Sequence, residues 1–93
     1  MLDKVKTALR VSSNTFDSEI QDLINAALAD LRITGVNIPN QGGSSVLDDP
    51  LLIRAVIYYC KANYGYNEDS EKFQRTYEQL RDKLSLAGEY HVQ

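Results

Sequence analysis

The chain is 93 residues long, the length of one small domain, with 43% apolar residues, 25% charged residues and a formal charge of −3 at pH 7. That composition excludes a disordered polyelectrolyte, and its acidic balance is the wrong sign for a protein that works by gripping phosphates. No apolar run reaches the roughly 18–20 residues that a membrane-spanning helix needs, and a single cysteine excludes an internal disulfide framework.

Taken in chain order, the pattern predicts an all-α fold: a small bundle of about four helices near 2–10, 15–33, 49–64 and 69–86. The opening Met1-Leu2-Asp3-Lys4 lacks the apolar core of a signal peptide, so the chain is expected to stay in the cytosol of the cell that makes it. Leu2, Val5, Ala8 and Leu9 give the first helix its apolar side. Ser12-Ser13-Asn14-Thr15 then offers N-cap side chains for the second. There Phe16, Ile20, Leu23, Ile24, Ala27, Leu28 and Leu31 form one stripe at the 3.6-residue period, and Gly35 supplies a C-terminal cap.

Residues 34–48 show no period and are read as a long loop, in which Val36, Ile38, Val46 and Leu47 are apolar enough to dock on something. Asp48-Asp49-Pro50 starts the third helix, which is apolar over most of its circumference from Leu51 to Tyr64. Its polar positions are few, and Arg54 and Lys61 share one narrow stripe with Tyr58. Gly65 ends it. Glu68-Asp69-Ser70-Glu71 caps the fourth helix, with Phe73, Tyr77, Leu80 and Leu84 as its stripe and Glu71–Arg75 spaced for an ion pair. Residues 1–88 are thus expected to form a single helical domain, with 89–93 as a flexible tail.

Chemistry is hard to find. His91 lies in the tail with no second ligand placed beside it, so no metal site is indicated. Cys60 with His91 would be a nucleophile and base, but Cys60 sits on the apolar body of the third helix, where a thiol is a small core residue. Gly42-Gly43-Ser44-Ser45 lacks the Gly-Lys-Ser/Thr ending of a phosphate loop. Asp48-Asp49 and Glu68-Asp69 stand at helix starts and are explained by capping. A DNA-reading helix-turn-helix is argued against by Asp17, Glu19, Asp22 and Asp30, which place negative charge on the exposed face of the second helix. No catalytic residue and no cofactor follows from the pattern. The remaining signal is surplus apolar surface, with tyrosines 58, 59, 64 and 66 clustered at the end of the third helix.

Four stretches together resemble the phage head–tail connector family, the small helical adaptors that sit beneath the portal. These are Leu2-Asp3-Lys4-Val5-Lys6-Thr7-Ala8-Leu9-Arg10-Val11, the segment from Asp17 to Ala27 (family pattern D-x-x-I-x-x-L-I-x-A-A), Asp49-Pro50 through Tyr66, and Phe73 through Leu86. The likeness spans most of residues 2–90 and keeps the order of elements. It implies a structural role without catalysis or cofactor: a ring of about twelve copies on the portal. Such a ring extends the DNA channel and offers a platform to the tail or stopper. The implied partners are other copies of the chain, the portal protein and the next head-completion or tail protein, with DNA only as transient cargo and no membrane. The implied location is the virion, after synthesis in the bacterial host cytoplasm. Contacts within a ring are expected at Tyr58, Tyr64 and Tyr66, and contacts above and below it at Val36, Ile38, Val46, Leu47, Tyr90 and Val92. The alternative left open is a small prophage-encoded regulatory or DNA-binding helical module.

Overall fold

The computed structural model describes residues 1–36, 50–65 and 68–86, with only the backbone of Leu86. Four helices stand among the described residues: α1 (Leu2–Leu9), α2 (Asp17–Ile33), α3 (Pro50–Asn63) and α4 (Ser70–Leu86). There is no β-strand among the described residues. The bounds lie within two residues of those expected from periodicity and breakers.

The apolar stripes become the core as their spacing requires. Val5 of α1, then Ile20, Ile24, Ala27 and Leu31 of α2, are fully buried, and Tyr77 and Leu84 of α4 close the packet. Helix α3 sits at the centre and touches the other three, with α4 as its largest neighbour. This explains its composition: Leu52, Ile53, Ala55, Val56 and Cys60 face inward in three directions, so apolar residues are needed nearly all round. Each fully buried aliphatic side chain contributes about 1.5–3 kcal/mol relative to exposure, which a bundle this small depends on.

The start of α2 differs from expectation, while Gly35 closes it as expected. No Ser or Thr side chain caps α2; Phe16 holds the N-cap position at 46% exposure, outside the core stripe. The Ser13 hydroxyl instead accepts from the Thr15 N–H at 3.0 Å and donates to the Thr15 hydroxyl, a local turn that competes with capping. The entry to α2 is fixed by Lys6, whose Nζ lies 2.7 Å from Asp17 Oδ1 and donates to Asn14 Oδ1 at 2.9 Å.

Both α1 and α2 close with paired reverse hydrogen bonds. After α2, Val36 N–H donates to Leu31 C=O (2.9 Å) and Gly35 N–H to Arg32 C=O (3.0 Å), with Gly35 at φ 99°. This closure carries Val36 into the core beside Leu31. After α1 the same pair runs from Val11 to Lys6 and from Arg10 to Thr7, but the left-handed residue is Arg10, at φ 61°. Residues 37–49, which hold most of the expected loop, lie outside the described residues.

Candidate subunit interface

With most of α3 committed to the core, one narrow stripe of it reaches the surface. Arg54 is exposed, Tyr58 is half-buried, and Lys61 lies one turn further on. Across the α3–α4 seam these residues stack in alternation. The Arg54 guanidinium lies 5.9 Å from the Tyr58 ring, Tyr58 and Phe73 have centroids 6.1 Å apart, and Lys61 Nζ lies 5.4 Å from the Phe73 ring. Beside this ladder runs a groove of about 590 Å³, floored by Leu51, Tyr58 and Leu80 and edged by Arg54, Asp82 and Lys83. Leu51 is 49% exposed, an apolar centre with charged groups around it. A smaller groove of about 420 Å³ that shares Leu51 and Arg54 adds Lys4, Ile53 and Ile57. The face thus sets aromatic and apolar groups beside Lys4, Arg54, Lys61 and Lys83, with Asp82 the one acid at its edge.

A second polar feature ties α4 to α2. Asp30 Oδ2 accepts from the Tyr77 hydroxyl at 2.6 Å and from Arg81 Nη1 at 3.2 Å. Burial, reinforced by the hydrogen bond to Asp30, pushes the Tyr77 phenol well above its ordinary range. Burial by itself would lower the Arg81 pKa, but the bond to Asp30 and its charge outweigh that, and the guanidinium is held above its usual value.

A family model described as "Phage connector protein" matches residues 1–91. The chain belongs to the phage connector family. No curated protein and no solved structure matches it.

In this connector the expected contact residues take three different places. Tyr58 lines the α3–α4 groove. Tyr64, half-buried, packs edge-on against Phe16 with centroids 6.3 Å apart and lines a separate groove with Leu9, Arg10 and Lys61. Tyr58 and Tyr64 thus line different grooves, joined through Phe73 and Lys61. Val36 is 1% exposed in the connector's own core, so its apolarity is used within the subunit. Ile38, Val46, Leu47, Tyr66, Tyr90 and Val92 lie outside the described residues.

Two other readings change. Asp30, placed by spacing on an exposed acidic face, faces α4 and is occupied by Tyr77 and Arg81. Glu71 and Arg75 form no ion pair among the described residues; Arg81 instead bridges Asp30 and Asp82. Cys60 is fully buried, and burial pushes its thiol up to about 12, so it stays protonated and unreactive at neutral pH. The surface residues that sequence spacing missed are Leu51, Phe73 and Leu80. Each reads as an ordinary member of an apolar stripe; Leu51 shares the Arg54–Tyr58 face of α3, and only the α3–α4 pairing brings Phe73 and Leu80 beside it.

Proposed function

We propose that this chain is a structural adaptor at the head–tail joint of a tailed phage, forming a closed ring of about twelve copies beneath the portal. The ring lengthens the DNA channel and presents the platform on which a tail or stopper protein docks. The family match across residues 1–91 carries this reading. The cation–aromatic face on α3 and α4 supports it, because ring subunits need surface that a lone domain of this size would not leave apolar. The formal charge of −3 suits a channel through which DNA must slide without being held. No catalysis and no cofactor belong to the role.

Tyr58 and Tyr64, with Tyr66, are the contacts proposed within the ring. Ile38, Val46, Leu47, Tyr90 and Val92 are those proposed toward the portal and the tail. The virion is the working location, after synthesis in the host cytoplasm.

Electron microscopy of portal assemblies mixed with the purified chain tests the reading. The expected image is one added annular layer at a single end of the portal, with rotational symmetry. Portals that remain bare at up to about 1 mM of chain, beyond which no useful affinity remains, overturn it.

A further inference from the structure

The charges of the first three helices are sorted by element, while α4 mixes both signs. Helix α2 carries Asp17, Glu19, Asp22 and Asp30 against Arg32, whereas α1 and α3 carry Lys4, Lys6, Arg54 and Lys61 against Asp3. Asp17 is neutralised by Lys6 and Asp30 by Arg81, which leaves Glu19 and Asp22, both exposed, as the unpaired anions of α2 among the described residues. On the other side, the two grooves that share Leu51 and Arg54 are edged by Lys4, Arg54 and Lys83. Their one acid, Asp82, already lies beside Arg81, with Nε and Oδ1 3.7 Å apart.

A closed ring needs two different surfaces on each copy that fit each other. From this charge segregation we infer that neighbouring copies meet head to tail, with the Glu19–Asp22 face of one α2 seated against the Lys4–Arg54 rim around Leu51 of the next. The inference rests on the ring reading and specifies which surfaces make it. Unlike charges fix the register and speed the encounter, while Leu51 supplies the apolar centre that closes. Like faces repel, so the subunit is steered away from symmetric pairing.

Paired charge reversals test this by sedimentation velocity across a salt series. Glu19→Lys with Asp22→Lys alters one face, and Lys4→Glu with Arg54→Glu the other. All four positions are exposed, and circular dichroism melts check that each variant stays folded. Each double variant alone is expected to self-associate about tenfold or more weakly than the unaltered chain. An equal mixture of the two is expected to recover, because each reversed face then finds a complementary neighbour all the way round. Association of the unaltered chain should weaken as salt rises.

Either variant assembling normally, or a mixture no better than its components, overturns this pairing of surfaces. So does an unaltered chain that stays monomeric in low salt at about 1 mM. Annular density on the portal in those cases leaves the ring reading standing with a different interface, and bare portals remove both.

Discussion

The Tyr77 hydroxyl, the Arg81 guanidinium and the Asp30 carboxylate form the polar clasp between α2 and α4, and three neighbouring groups there hold their protons unusually tightly. Burial raises Cys60 to about 12 and raises Tyr77; it also raises Tyr59, helped by the charge of Asp30. A group that binds its proton more tightly folded than unfolded gives stability that is fully present below its unfolded pKa and lost as pH climbs toward the folded value. Stability should therefore be level up to about pH 9 and then fall, with Cys60 first and the tyrosines joining above about pH 10. The slope is about 1.4 kcal/mol per pH unit for each group engaged. Denaturant melts at several pH values check this. Cys60→Ala should flatten the fall between about pH 9 and 10, whatever it does to the level, and an unchanged slope there would contradict the assignment. The clasp was not legible in the sequence. Tyr77 was readable as a core residue from its stripe, but its partner lies 47 positions earlier, on a helix whose spacing pointed that carboxylate outward.

At the scale of elements, periodicity carried the reading further than capping did. The stripes Ile20–Ile24–Ala27–Leu31 and Phe73–Tyr77–Leu80–Leu84 follow from 3.6 residues per turn; burial bears out the first and, in the second, Tyr77 and Leu84, while Phe73 and Leu80 are only partly buried and Phe16 stands at the N-cap. The capping chemistry was misread because Ser13 and Thr15 bond each other, a choice that depends on local backbone geometry and leaves no mark in composition. The closure of α1 is the sharper case. It places Arg10 at φ 61°, where a side-chain-bearing residue costs about 1–2 kcal/mol that glycine avoids. Arg10→Gly, which keeps the backbone bonds from Val11 and Arg10, is expected to raise stability by about 1 kcal/mol in chemical denaturation. A loss of stability would mean that the Arg10 side chain, which edges the groove with Tyr64 and Phe73, contributes more through contact than it costs in backbone strain.

As a whole molecule, the described residues form a packet of four helices whose central helix has one surface stripe left over, flanked by grooves edged with cations, and whose α2 carries four acids against one base. The bundle was legible because apolar spacing and turn residues agree with each other along the chain. The surface was only half legible. The stripe of Arg54, Tyr58 and Lys61 could be read along one helix, but its extension onto Phe73 and Leu80 depends on how α3 and α4 pair. The role as an adaptor in the virion leads to one decisive observation, electron microscopy of particles from the phage whose reading frame for this chain is disrupted. Filled heads and complete tails that fail to join, with joining restored when the chain is supplied separately, are the predicted result. Normally joined particles in its absence would contradict the account.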